Sequence, residues 1–165
     1  VGALDGKGNL TGLHIRISGQ SILASVRPQW LGENGIDMIT FQGFHAEGDH
    51  AISYTVPNLL VEHAMRNPPV PPGFWRGVNI NQNAIYMECF VDELAHAAGA
   101  DPVDFRLAHL PRDALGDRMR AALVAAAERA IEVDPNYADA FALLAWTLNY
   151  AGRPQKTITV LNMAS

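Results

Sequence analysis

A loop rich in proline and glycine contains the residues best suited to binding chemistry. It spans residues 70–77, with the sequence VPPGFWRG, and carries one guanidinium at Arg76. Unpaired backbone N–H groups and the positive dipole end make a helix N-terminus a favourable place for an anion. Because we expect a helix to begin soon after Gly77, this loop is a candidate anion site. The alternatives are a surface role for Arg76, which residue type alone favours, and a core or interface role for Trp75.

A second group of polar residues follows Phe44. If this stretch were a strand, His45, Glu47 and Asp49 would point the same way, which suits metal ligation by imidazole and oxygen. Their spacing matches no standard ligand pattern. A polar loop between two strands is therefore the favoured interpretation.

Three acidic residues and the single cysteine lie beyond the loop. Glu88, Asp92 and Glu93 have a spacing that fits a solvated helix face better than acid–base catalysis. Cys89 lies among apolar helix positions and is interpreted as a small buried hydrophobe. As the only cysteine in the sequence, it excludes an internal disulfide and a cysteine metal cluster.

The first part of the chain has strand patterns. Alternating apolar and polar residues predict a half-buried strand over residues 10–18, after a glycine-rich turn. Shorter extended segments are predicted over residues 21–26 and 37–44. Another strand starts near residue 51, where Pro57 confines it to a sheet edge, and residues 58–65 are predicted to continue extended.

The second part has helix patterns. An amphipathic helix is predicted over residues 81–98, with an apolar stripe that includes Ile85 and Cys89, and Gly99 ends it. Asp101 and Pro102 are a typical N-cap and first residue of the next helix. Further helices are predicted over residues 113–133, over residues 138–150 and in the tail. The predicted fold class is α+β, with a mixed or antiparallel sheet in residues 8–66 followed by four or five helices.

Composition limits the class of protein. The 165 residues are 48% hydrophobic and 18% charged, which favours a globular core over disorder. The net charge of −5 argues against a nucleic-acid partner. No apolar run reaches the length of a membrane span, and no signal-peptide pattern is present. The sequence starts at Val1 rather than Met, so we expect a fragment or a processed product.

The motif GFWRG at residues 73–77, followed by Gln82-Asn83, Glu88 and the run DELA at residues 92–95, resembles a known family. It is similar to the molybdopterin-binding large subunit of the xanthine dehydrogenase family, in the isoquinoline 1-oxidoreductase and aldehyde oxidoreductase branch. The pairs Ala98-Gly99, Asp101-Pro102 and Phe105-Arg106 fit the same subunits. The resemblance covers about residues 8–130. The first segment, residues 1–111, is accordingly predicted to be part of a molybdopterin-binding domain.

This resemblance implies an oxidoreductase that hydroxylates aldehydes or N-heterocycles. Its cofactor would be molybdopterin, either as such or as the cytosine dinucleotide, which holds molybdenum without protein ligands. The resemblance also implies an iron–sulfur small subunit as electron-accepting partner and a small aldehyde or heteroaromatic substrate. Such proteins would place the chain in the cytoplasm or periplasm of a bacterium, and the sequence does not choose between them.

Four residues match the cofactor-contacting positions of the family. Arg76, Gly77 and Val78 match its cofactor loop, and Gln82 matches a pterin-side amide. In the family the glutamate base lies in a Gly-Glu-x-Gly segment far downstream in the full subunit, a part that we expect this chain not to include. No catalytic residue is therefore assigned, and the chain is expected to be inactive alone.

The C-terminal segment, residues 112–165, resembles a different kind of protein, one built from helical repeats. Its run AIEVDPNYA at residues 130–138 is similar to the boundary between two tetratricopeptide repeats, which predicts one such helix pair. The alternative function is therefore a helical-repeat module for protein–protein interaction, with no catalytic activity.

Overall fold

The structure is a computed structural model that describes residues 1–48, 50–134, 144, 155 and 156. The chain divides into two compact units. Unit 1 comprises Val1–Ile52 and Val56–Gly99, and unit 2 comprises Ser53–Thr55 and Ala100–Ser165. Strands lie in the N-terminal half and long helices follow them, which confirms the predicted α+β class.

Unit 1 contains a three-stranded mixed sheet. Strands β1 (Gly2–Leu4), β2 (Leu10–Gly19) and β3 (Leu59–Met65) lie in the order β1-β2-β3. β1 runs antiparallel to β2, whereas β3 runs parallel to it. The strand predicted over residues 10–18 and the extended segment over residues 58–65 are both confirmed.

Two predicted extended segments are wrong. Residues 21–26 lie mainly in the short helix α1 (Ile22–Val26), and residues 37–44 contain the 3-10 turn Met38–Phe41. In both cases the preceding polar residue caps the turn. Ser21 Oγ accepts a hydrogen bond from Ala24 N at 2.9 Å, and Asp37 Oδ1 accepts one from Ile39 N at 2.9 Å. Such local side-chain bonds favour a turn over pairing in a sheet, which explains why neither segment is extended.

The long helix of unit 1 is α2 (Ile80–Ala98), and Gly99 follows it in the left-handed region with φ +65°. Both the helix and its glycine end confirm the prediction. The predicted apolar stripe is partly wrong, because Ile85 and Cys89 are exposed. Val91, Leu94 and Ala95 of the predicted stripe are buried, and Asn83 and Met87 are buried with them.

Unit 2 contains helices α3 (Pro102–His109) and α4 (Ala114–Val133). Asp101 Oδ1 accepts hydrogen bonds from Val103 N at 2.8 Å and Asp104 N at 3.1 Å, which confirms the predicted start of α3. The helix predicted over residues 113–133 is also confirmed. The helix predicted over residues 138–150 and most of the repeat-like boundary lie outside the described residues. No helix in the described part of the chain has both the length and the apolarity to cross a membrane.

Candidate functional site

Unit 1 contains a cavity of about 610 Å³. Its walls come from the second half of β2, from the turn at residues 38–44, from the loop at residues 72–79 and from the first turns of α2. This volume falls within the roughly 300–1,000 Å³ of small-molecule sites. The lining includes Arg16, Thr40, Trp75, Val78, Gln82 and Tyr86.

The backbone that leads into α2 is strained where it reaches the cavity. Gly77 has φ +79° and Val78 has φ +45°. A left-handed conformation is common for glycine but rare for a β-branched residue, and such strain costs on the order of 1–3 kcal/mol. Turn hydrogen bonds hold this geometry: Val78 N donates to Trp75 O at 2.9 Å, and Ile80 N donates to Gly77 O at 3.0 Å.

Amide side chains fasten this loop to the turn at residues 38–42. Asn79 N donates to Gln42 Oε1 and Asn79 Nδ2 donates to the Ile39 carbonyl, both at 3.2 Å. The buried Asn83 uses Nδ2 to donate to the carbonyls of Thr40 and Gln42, both at 2.9 Å. These bonds hold two walls of the cavity together.

Gln82 extends this network into the cavity wall. Its Nε2 donates to Asn79 Oδ1 at 2.7 Å. Because this bond uses a donor of Gln82, it fixes the orientation of the amide. Its carbonyl oxygen remains the group with which Gln82 can accept a hydrogen bond from a ligand.

Thr40 also lies in the wall, and its side chain is unusual. The residue is 5% exposed, and its hydroxyl has no hydrogen-bond partner among the described residues. A buried polar group without a partner costs about 1–3 kcal/mol. A polar ligand group that reaches this part of the wall would remove that cost.

Fewer backbone N–H groups are available to an anion at the start of α2 than the sequence suggested. The backbone N–H groups of Val78, Asn79 and Ile80 all donate within the protein. An anion at this helix end would therefore bind to the following N–H groups, those of Asn81 and Gln82.

Of the four predicted cofactor residues, the structure places two in the cavity lining and two outside it. Val78 and Gln82 line the cavity. Gly77 precedes them, and a Cβ atom at this position would collide with the side chain of Asn81. Arg76 is exposed outside the lining, and its carbonyl accepts a hydrogen bond from Asn81 Nδ2 at 2.9 Å. Trp75 is 85% exposed, which excludes the core role considered for it.

Other lining residues were missed by sequence reasoning. Arg16 lies in the predicted strand over residues 10–18, but nothing in the alternation of that strand marks Arg16 as part of a cavity lining. Thr40 fell in a segment predicted to be extended. Tyr86 is 61% exposed on α2, and no local pattern distinguishes it from an ordinary surface tyrosine.

The possible metal site near His45 has few described contacts. His45 Nε2 lies 3.2 Å from the Met38 carbonyl, and the rings of His45 and His50 meet edge to face at 5.9 Å. Asp49 is outside the described residues. Within the described residues, no group of three or more histidine, cysteine, aspartate or glutamate side chains is arranged to hold a metal ion.

Comparison with known proteins links part of the chain to oxidoreductases. No protein-family model matches the chain, and no solved structure matches significantly. A segment of 57 residues, 34% of the chain, is 43% identical to part of a nicotinate dehydrogenase from Pseudomonas putida. A segment of 59 residues, 36% of the chain, is 37% identical to part of an isoquinoline 1-oxidoreductase from Brevundimonas diminuta.

The two matched segments are short parts of long proteins, each of which is one subunit of its enzyme. They correspond to 5% and 8% of the length of these two relatives. About a third of the chain is therefore similar to oxidoreductase subunits, and these two similarities support a relationship with the xanthine dehydrogenase family.

Proposed function

We propose that unit 1 forms one wall of the molybdopterin site in an oxidoreductase subunit that hydroxylates N-heterocycles or aldehydes. One observation carries the proposal: Val78 and Gln82, which match cofactor-contacting positions in the sequence resemblance, both line the cavity. The names of the two relatives, nicotinate dehydrogenase and isoquinoline 1-oxidoreductase, favour an N-heterocycle as the substrate.

The residues around the cavity fit a pterin. A pterin is flat and presents hydrogen-bond donors and acceptors along its edges. Gln82 offers a carbonyl oxygen, and Trp75 and Tyr86 offer aromatic faces. Bound molybdenum would supply the oxidation of the substrate carbon, with electrons leaving through an iron–sulfur partner.

In this proposal each loop residue has a defined task. Gly77 lets the backbone turn at a position where any side chain would collide with Asn81. Val78 presents its side chain to the cavity at the cost of backbone strain. Gln82 accepts a hydrogen bond from the pterin edge, and Asn79 holds its amide in place. Arg76 lies at the surface, where it would meet the anionic end of the cofactor.

Pterin binding tests the proposal directly. The full chain is titrated with free pterin, and pterin and molybdenum are measured after purification from cells that synthesise the cofactor. Gln82→Leu, which has a similar size but no amide, should weaken pterin binding about tenfold, because one hydrogen bond to the ligand is lost. Arg76→Ala and Gly77→Val should lower cofactor content.

The control is Glu93→Gln, on the exposed surface of α2. It should leave pterin binding unchanged, and circular dichroism should show that each variant folds. If all three loop variants fold and bind as much pterin as the unchanged chain, the loop is only structural and the proposal fails. If the unchanged chain binds no pterin, the alternative of a helical-repeat interaction module gains support.

A further inference from the structure

We infer that one edge of β2 binds an extended segment of another polypeptide, which adds to the sheet antiparallel to β2 and in line with β1. The inference goes beyond the proposed function, because it concerns main-chain groups of β2 and requires no pterin. Its binding mode is strand addition, in which main-chain hydrogen bonds supply affinity and alternate side chains supply selectivity.

The two sides of β2 are paired over different lengths. β3 pairs with it from Leu13 to Gly19. β1 pairs with it only as far as His14, where Val1 and His14 exchange two main-chain hydrogen bonds of 2.8 Å. Beyond His14, no described residue pairs with β2 on the side of β1. Within the described structure, residues 15–19 therefore have a free edge on that side.

The hydrogen-bond pattern shows which groups this free edge presents. Successive residues of a strand direct their N–H and C=O groups to opposite neighbours. Leu13 N donates to Asn58 O at 2.8 Å on the side of β3, whereas His14 bonds to β1. By the same alternation, Arg16 and Ser18 direct their main-chain groups to the free edge. Their N–H and C=O groups have no partner there among the described residues, so an added strand can bond to them.

Open space lies beside the same edge. Residues 15–20 line the cavity of unit 1 without a gap. Because successive side chains point to opposite faces of a sheet, a continuous lining indicates that the cavity adjoins the edge of the strand. A groove of about 250 Å³ shares Ile15 and Tyr86 with the cavity and reaches Val1. These spaces follow the free edge, which could pair with five extended residues, about 17 Å in length.

The side chains of β2 specify the occupant. Ile15 and Ile17 are half-buried on one face of the strand, whereas Arg16 and Ser18 are exposed on the other. Directly opposite residues of an antiparallel pair lie on the same face. The added strand should therefore alternate, with apolar residues opposite the two isoleucines, a polar residue opposite Ser18 and an acidic residue opposite Arg16.

Charge favours such a partner over a second copy of this chain. β2 contains no acidic residue. If two copies paired through this edge of β2, Arg16 would face no opposite charge on the added strand. An acidic, alternating segment provides that charge and the apolar contacts together.

A short peptide tests the inference on the full chain. The peptide Val-Thr-Val-Glu-Val, with blocked ends, places glutamate opposite Arg16 and threonine opposite Ser18 when it adds antiparallel to β2. Calorimetry measures its affinity, and NMR follows hydrogen exchange of single amides. At saturation the amides of Arg16 and Ser18 should exchange at least about tenfold more slowly, while those of Ile15 and Ile17 should change little. Lysine in place of the glutamate should weaken binding.

Matched backbone changes in the peptide locate the hydrogen bonds. N-methylation of its glutamate removes an N–H group that should bond to Arg16 O, and it should weaken binding about tenfold. N-methylation of its central valine changes an N–H group that should point away from β2, so binding should be nearly unchanged. Equal affinities of the two N-methylated peptides would overturn the inference.

Two variants of the chain make the same comparison from the other side. Ser18→Pro removes an N–H group at the free edge and leaves the bonds to β3 in place, so it should abolish peptide binding. Ser18→Ala keeps that N–H group and should bind the peptide normally. Circular dichroism and urea midpoints check folding, and the N-methylated peptides decide the question if Ser18→Pro does not fold.

The remaining outcomes identify other occupants. If no peptide binds and light scattering shows a dimer, a second copy covers the edge and the inference is wrong. If the peptide stabilises the chain only when it is fused directly ahead of Val1, the edge accepts only a strand of its own chain, which also contradicts the inference. Pterin binding without peptide binding overturns this inference alone, whereas peptide binding without pterin binding overturns only the proposed function.

Discussion

Ser21 Oγ donates a 2.7 Å hydrogen bond to Asp37 Oδ2, and both side chains are fully buried. The same carboxylate accepts hydrogen bonds from Leu23 N at 3.1 Å and from Ile39 N at 2.9 Å. The pair therefore joins the start of α1 to the 3-10 turn Met38–Phe41. Because that turn carries Thr40, this buried pair also fixes one wall of the candidate site.

Removal of the Asp37 carboxylate should strongly destabilise the protein. Asp37→Ala leaves three donors without their acceptor, and we expect a loss of about 2–4 kcal/mol in the free energy of unfolding. Urea denaturation measures it. The control Asp113→Ala removes an exposed N-cap and should cost about 1 kcal/mol. An Asp37→Ala loss no larger than that of Asp113→Ala would contradict a central role for the buried pair.

The strained backbone beside the cavity predicts an unusual response to glycine. Val78→Gly should leave stability unchanged or raise it by up to about 1 kcal/mol, because relief of the left-handed strain offsets the lost side-chain contacts. Gly77→Ala should instead cost about 1–2 kcal/mol, because alanine disfavours φ +79° and the Asn81 side chain must shift to make room for its Cβ. The urea midpoints of the two variants should therefore differ clearly, and a marked loss for Val78→Gly would argue against strain.

Local signals in the sequence were sufficient to predict several strands and helices. Strict alternation predicted β2, and Asp101-Pro102 predicted the start of α3, because each depends on residues within one turn or strand. The segment at residues 37–44 was missed because the Asp37 carboxylate caps a turn there, and the same carboxylate is held by Ser21, sixteen positions away. Cys89 was misplaced because the buried face of α2 is set by what packs on it, and the residue pattern alone allowed a rotated stripe.

Only those lining residues that belong to the loop motif could be singled out from the sequence. Val78 and Gln82 came from the loop resemblance, and both line the cavity. The cofactor roles of all four residues, Arg76, Gly77, Val78 and Gln82, stay predictions. Arg16 and Thr40 reach the cavity through the packing of distant segments, so no spacing in the sequence marks them as neighbours of Gln82.

A close approach of the backbone in unit 2 predicts that Gly116 is hard to replace. A Cβ atom at Gly116 would collide with the carbonyl of Pro111. Arg120 lies beside it and donates to the carbonyls of Pro111 at 3.1 Å and Leu110 at 3.2 Å. Gly116→Ala should therefore cost about 1–3 kcal/mol by thermal or urea unfolding, although alanine is the better helix former. Ala121→Gly, at an exposed position of α4, is the matched control and should cost about 1 kcal/mol.

The turn between β1 and β2 should contribute stability that acid removes. The Asn9 side chain, followed by the backbone N–H groups of Asn9 and Lys7, donates to Asp5 and lowers the pKa of its carboxyl below 3.8. A lowered folded-state pKa means that the stabilisation is complete above 3.8 and is lost as pH falls through the folded value. Asp5→Ala should lower the urea midpoint at neutral pH, and the difference from the unchanged chain should shrink in acid. A difference independent of pH would show that the carboxylate charge is not involved.

Asp104 should behave in the opposite way. Burial, followed by the negative charge of Asp101, raises the pKa of the Asp104 carboxyl above 3.8. The folded state then holds its proton more tightly than the unfolded chain does, so ionisation of Asp104 opposes folding. This penalty is complete above the folded pKa, declines as pH falls through that value and disappears below 3.8. Asp104→Asn removes the charge while it keeps the shape, so it should raise the urea midpoint at neutral pH and have no effect in strong acid.

The control variant for Asp104→Asn must change a residue away from the start of α3. Asp101 caps that helix by accepting from Val103 N and Asp104 N, so Asp101→Asn is unsuitable. Glu93→Gln, which removes an exposed carboxylate of α2, is the control for the general loss of one negative charge. A lower midpoint for Asp104→Asn at neutral pH would mean that the attraction of its charge to the start of α3 outweighs burial.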